Sequence, residues 1–124
     1  MVEGDSPGKR VVLDYLLARQ TQDLELLDRV LASDFSHEML GERQDRASLF
    51  EEVERLPFVD ARFEVHALVE EGDQVACRYR FSAQTRGGRP VAFTGLFIAT
   101  IRDGQLASGW GEYDAARLRR QLDP

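Results

Sequence analysis

The sequence predicts an α+β fold from three observations: helical periodicity fills the first half, strand alternation fills the second, and 124 residues suit a single domain spanning 1–124. Segregation of the two periods sets helices apart from an antiparallel meander. A strongly curved sheet wrapped over a few helices would bury both patterns and leave a pocket at its open end.

Ser6 followed by Pro7 reads as a helix N-cap and first helical residue, and Val12, Tyr15, Leu16 and Arg19 recur along one face, predicting a helix over roughly 7–20. Asp23 caps a second helix carried by Leu24, Leu27 and Leu31, expected to end near Ser33. DFSHEMLG (34–41) is then expected to cross the mouth of the pocket as an extended segment. Asp45 opens a third helix with Leu49, Val53 and Leu56 on one side, stopped by Pro57.

From there the period is two. ARFEVHALVE (61–70) and QVACRYRFSAQT (74–85) alternate as half-buried strands, with EEGD and RGGR as turns. PVAFTGLFIATIR (90–102) is apolar on both faces, so both faces are expected to be covered. Asp103-Gly104 is a type I′ hairpin signal. If the ladder runs uninterrupted from Arg102 opposite Gln105, Phe97 faces Trp110, Gly95 faces Glu112 and Phe93 faces Asp114, all on one side of the sheet. AARLRRQL forms a last short helix, and the strands make a four-stranded meander.

Composition narrows the function. Sixteen Lys plus Arg against 22 Asp plus Glu give a net charge of -6, which repels phosphate backbones and argues against nucleic acid. The N-terminus MVEGDSPGKR lacks a signal-peptide core and no apolar run reaches membrane-spanning length, so the expected location is cytoplasmic, without membrane. The single Cys77 makes neither an internal disulfide nor a cysteine metal site. Two isolated histidines and the absence of HExxH, EF-hand, GxGxxG, GxxxxGK[ST] and GxSxG patterns leave cofactor-free, metal-free acid–base chemistry, or binding without chemistry.

Candidate residues follow from the expected register. Glu112 and Asp114 would sit among Trp110, Phe93 and Phe97, where desolvation raises a carboxyl pKa toward neutrality. The alternative is that Asp114 caps the last helix and Glu112 stays wet or pairs with an arginine. Gly95 either leaves space for a ligand beside Glu112 or lets the sheet curl. Tyr15, on the buried side of the first helix, could offer its hydroxyl to an enolate oxygen or simply bond a neighbour. His37 and Glu38 are adjacent in an extended segment, so one can face inward as acid or base while the other faces solvent. His66 shares a strand face with Arg62 and Glu64 and belongs outside.

The segments YLLARQTQDLELLDRVLASDF (15–35), GRPVAFTGLFIATIRDGQL (88–106) and WGEYD (110–114) resemble the SnoaL-like and ketosteroid isomerase-like branch of the nuclear transport factor 2-like superfamily. The resemblance implies a cone of three N-terminal helices over a curled antiparallel sheet, an apolar pocket for a small molecule, and a homodimer through the outer sheet face. It matches Tyr15 to the isomerases' oxyanion tyrosine, Glu38 to their proton-shuttling acid, and Asp114 to the aspartate of the W-x-x-x-D ending. Phe93, Phe97 and Trp110 become the apolar wall, with Gly95 beside it. The position of the isomerases' second oxyanion acid falls near Gly95 or Leu96, and the strand that commonly bears a cyclase histidine shows Gln84 and Thr85, leaving His37 to serve from another direction. The expected function is a cofactor-independent isomerase or polyketide cyclase with Glu38 as base; the alternatives are an epoxide-opening enzyme with two carboxyls at one site, or a non-catalytic ligand-binding or dimerisation domain.

Overall fold

A computed structural model describes residues 6–123. Helices α1 (Pro7–Thr21), α2 (Leu24–Val30) and α3 (Arg46–Glu54) pack on a curved, unclosed sheet of six strands: β1 (Leu31–Met39), β2 (Glu42–Asp45), β3 (Phe58–Glu71), β4 (Gln74–Thr85), β5 (Pro90–Arg102) and β6 (Gln105–Tyr113). A fourth helix, α4 (Ala115–Leu122), follows β6. This is the expected α+β cone.

The helix starts lie where the sequence places them. Ser6 accepts from Lys9 N at 3.2 Å with Pro7 in the first turn, Asp23 accepts from Leu26 N at 3.0 Å, and Asp45 accepts from Ser48 N at 2.9 Å. Val12, Tyr15, Leu16, Leu27, Leu49 and Val53 turn inward to meet Phe35, Cys77, Tyr79, Phe81 and Phe97 in one core. Gln22, the C-cap of α1, donates to Val53 O at 3.0 Å, and Arg46 of α3 donates to Asp28 at 2.6 Å, so the three helices are tied to one another as well as packed.

Two expectations need correction. The second helix ends at Val30, and 31–45 is not a segment crossing the mouth but the hairpin β1–β2, which extends the meander to six strands in the order β2-β1-β6-β5-β4-β3. β1 joins β6 in parallel, the one parallel pairing in the sheet described, with His37 beside Gly109 and Met39 beside Gly111. Its partner lies some seventy residues further along the chain, beyond the reach of local pattern.

The second correction concerns register. Asp103 and Gly104 do adopt positive φ, 53° and 76°, and Arg102 does face Gln105. The ladder then slips: Ile101 pairs Leu106 but Thr100 pairs Ser108, leaving Ala107 as an extra residue in β6. A one-residue insertion exchanges the faces of everything beyond it. Phe97 therefore faces Gly111, Gly95 faces Tyr113, Ile98 faces Trp110 and Leu96 faces Glu112.

Candidate active site

The bulge decides which side chains reach the concave face. Trp110 and Glu112 share the outer face with Ile98 and Leu96; Trp110 is 53% exposed, though part of it borders the inner cavity, and Glu112 is exposed. Asp114 is exposed and caps α4, accepting from Arg117 N at 3.0 Å. Glu38 is exposed as well, opposite Arg43 on one side and Trp110 on the other. None of these three acids lines the inner cavity or the funnel above it, so the expected gathering of Glu38, Glu112 and Asp114 around one pocket does not occur.

What the strand alternation brings inward instead is His37, flanked two residues away on the same face by Phe35 and Met39. A small cavity of about 30 Å³ is lined by His37, Tyr15, Arg19, Phe63, Tyr79 and Phe97, among others. It opens into a funnel of about 690 Å³ between α3, β2 and the curl of the sheet, which shares Arg19, His37, Met39, Phe63 and Tyr79 with it and adds Phe93, Tyr113, Gln44 and Glu52. Phe97 lines the cavity and Phe93 the funnel. Tyr113, opposite Gly95 on β6, lies with its ring 5.0 Å from that of Phe93.

Gly95 does not border empty space. A Cβ there would lie 2.5 Å from Tyr79 Cζ and 2.9 Å from Cε1, and closer still to the hydroxyl oxygen. The bare Cα lets the Tyr79 ring lie flat across β5, between Phe63 at 5.4 Å and Phe97 at 6.0 Å. Gly109 and Gly111 serve the same closeness from β6, since a Cβ at either would meet the backbone of β5 at 2.8 and 2.7 Å.

Polar groups at the floor form a short chain. Arg19 Nη1 donates to the Tyr15 hydroxyl oxygen at 3.0 Å and Nη2 donates to Glu52 at 2.9 Å. The guanidinium lies over the Tyr15 and Phe63 rings at 5.7 and 5.9 Å. Burial works against its charge, but the Tyr15 oxygen and the Glu52 carboxylate outweigh that and raise its pKa. Because Tyr15 accepts from Arg19, its own proton remains available to another acceptor.

His37 Nε2 lies 2.6 Å from Gln44 Oε1, and the Gln44 amide nitrogen is 3.5 Å from Ser48 Oγ. A carbonyl oxygen can only accept, so Nε2 carries the proton and Nδ1 is the basic nitrogen of the neutral ring. Burial lowers the His37 pKa, with Arg19 adding to the effect against the opposing pull of Gln44 and Glu52. Tyr79 is pushed up to about 12, chiefly by burial, and stays a neutral donor.

Arg19, Gln44, Glu52 and Tyr79 were not read as site residues from the sequence. Arg19 had a signal, four residues after Tyr15 on the same helical face; Gln44 had none, because β2 was not anticipated, and Glu52 had none because it stands off the apolar Leu49–Val53–Leu56 side of the third helix. Among the described residues no cluster of three or more His, Cys, Asp or Glu is arranged to hold a metal, and no helix is long and apolar enough to cross a membrane.

Comparison with solved structures places the fold. IdmH of Streptomyces antibioticus, a candidate polyketide cyclase, superposes with a TM-score of 0.83 at 23% identity, covering 94% of this chain and 99% of its own. TsrD of Streptomyces laurentii gives 0.85 at 24%, covering 99% and 98%. An LEH-like epoxide hydrolase of M. tuberculosis gives 0.80 at 19%, covering 94% and 89%. A comparison with curated protein sequences gave no match. Residues 12–109 match the SnoaL-like domain, a span that holds most of α1, then α2, α3, β1 to β5 and the first half of β6, and this chain therefore belongs to the SnoaL-like domain family.

Proposed function

We propose that the chain is a cofactor-independent enzyme that moves a proton next to a carbonyl of an apolar substrate, as an isomerase or polyketide cyclase does. The observation that carries this reading is a histidine held by Gln44 at the floor of an aromatic funnel beside an arginine-backed tyrosine. His37 takes the place first given to Glu38. Its Nδ1 removes the proton from the α-carbon; the C–H electron pair moves into the C–C bond, and the carbonyl oxygen gains the negative charge. Tyr15 donates to that oxygen, with Arg19 behind it stabilising the charge. The imidazolium then returns the proton to another carbon, or the enolate carbon attacks a second carbonyl, whose π electrons move to its oxygen, and that alkoxide takes the proton back from the imidazolium.

Deuterium uptake into a panel of β-diketones and enolisable ketones tests this. His37→Asn should slow exchange roughly 10²-fold or more, whereas Glu38→Gln should leave it unchanged. Equal rates in wild type and His37→Asn would end the proposal. Epoxide opening by paired carboxylates finds less support, since no carboxylate lines the inner cavity and, of Glu42 and Glu52 on the funnel, Glu52 is engaged by Arg19.

A homodimer through the outer sheet face is part of the same proposal. Across β4, β5 and β6 runs a row of Arg78, Leu96 and Glu112, beside Ile98 and Trp110, with Leu96 48% exposed. A two-fold axis through the apolar middle would bring each copy's arginine toward the other's glutamate. Leu96→Glu should yield a monomer by light scattering, and an unchanged mass would exclude this face.

A further inference from the structure

The Arg19–Glu52 pair is lopsided. The Glu52 side chain is 48% exposed and engages one guanidinium nitrogen, whereas Arg19 is 21% exposed, wedged between two aromatic rings, and has no further side-chain partner among the described residues beyond Tyr15. A half-exposed carboxylate returns to water at small cost; a mostly buried guanidinium left without a counter-ion does not. Both side chains line the funnel, so a group entering it meets the pair directly.

We propose that Glu52 is a displaceable internal counter-ion and that the funnel takes planar aromatic carboxylates, whose oxygens replace Glu52 on Arg19. The inference rests on reading the funnel as the ligand site. Arginine's planar fork suits a carboxylate through two parallel N–H···O bonds, and Glu52 uses only one of its nitrogens. Phe63, Tyr79 and Phe93 supply ring faces for the aromatic body. The ligand's carboxylate thus brings its negative charge to the point where Tyr15 and Arg19 converge.

Calorimetric titration of the intact chain at pH 7 with 2-naphthoate and its neutral counterpart 2-naphthamide tests the assignment. Wild type should prefer the carboxylate. Glu52→Gln should bind 2-naphthoate about fivefold more tightly, the effect of removing an exposed competing ion pair, with 2-naphthamide unchanged. Arg19→Gln should bring the ratio of the two affinities to about one; if that variant does not fold, Glu52→Ala reads the same competition. Equal affinities in wild type, an unchanged or weaker 2-naphthoate affinity in Glu52→Gln, or no binding of either compound would each overturn the proposal. Retained carboxylate preference in a protein that exchanges no ketone proton would remove the acid–base reading and leave the anion site standing.

Discussion

Gly95→Ala tests whether the floor of the funnel is as tightly built as the geometry requires. The new methyl would stand 2.5 Å from Tyr79 Cζ and 2.9 Å from Cε1, whereas carbon atoms in contact sit about 3.5–4.0 Å apart, so ring or strand must give by about 1 Å. The ring cannot retreat freely, because Phe63 and Phe97 flank it at 5.4 and 6.0 Å and Arg19 lies near Phe63. Overpacking of this kind costs about 1–3 kcal/mol. Urea unfolding followed by tryptophan fluorescence should show that loss as a lower midpoint at unchanged slope. Tyr79→Ala removes the obstructing ring, so in that background Gly95→Ala should cost less than about 0.5 kcal/mol, leaving a coupling energy of at least about 0.5 kcal/mol. Additive effects in the double variant, or a Gly95→Ala protein as stable as wild type, would refute the close approach. Any movement of Tyr79 toward the cavity would also consume its roughly 30 Å³, so ligand affinity should fall together with stability.

Other expectations follow from the charges. Because burial holds the His37 pKa below the ordinary value of 6.5, the acid limb of exchange activity should lie below pH 6.5; a limb above it would contradict a desolvated base. The same depression makes His37 contribute stability that is complete above about pH 6.5 and is lost as pH falls through its lower folded value, so His37→Asn should flatten the stability profile on the acid side. Tyr79, held at about 12, should stay un-ionised in an ultraviolet titration to pH 11 and ionise normally once the protein unfolds. Cys77 is fully buried with its thiol also raised to about 12, so an aromatic disulfide reagent at pH 8 should leave native protein unmodified and label it in denaturant. Asp114→Ala should cost about 1 kcal/mol through its lost cap and speed amide exchange in α4.

The parts of this fold that were legible are those written in short windows. Capping oxygens at Ser6, Asp23 and Asp45, and the Asp103-Gly104 turn, each act within three or four residues, and each sits where the sequence places it. Strands β3 and β4 declared themselves through alternation, and β5 through an apolar run closed by the Asp103-Gly104 turn. β1 did not, because Leu24, Leu27 and Leu31 continue a helical spacing up to the residue where β6 takes over as pairing partner. Helix propensity over a few residues is a weak force beside a sheet ladder, and the ladder's other strand lies beyond any local window.

The site was legible in its residue types and less so in their directions, for one reason: a strand assigns faces by parity, and parity is fragile. A single extra residue, Ala107, moves Trp110 and Glu112 from the expected interior to the convex face and brings Gly109, Gly111 and Tyr113 inward. Parity within DFSHEMLG needed only the knowledge that the segment is a strand; once β1 forms, burying Phe35 obliges His37 to face the core and Glu38 to face water. A helix is more forgiving, since residues four apart share a face whatever the register of the sheet beneath. Tyr15 and Arg19 therefore converge on the cavity wherever the bulge falls, and the oxyanion half of the proposed chemistry is encoded locally while the choice of base is settled by tertiary pairing.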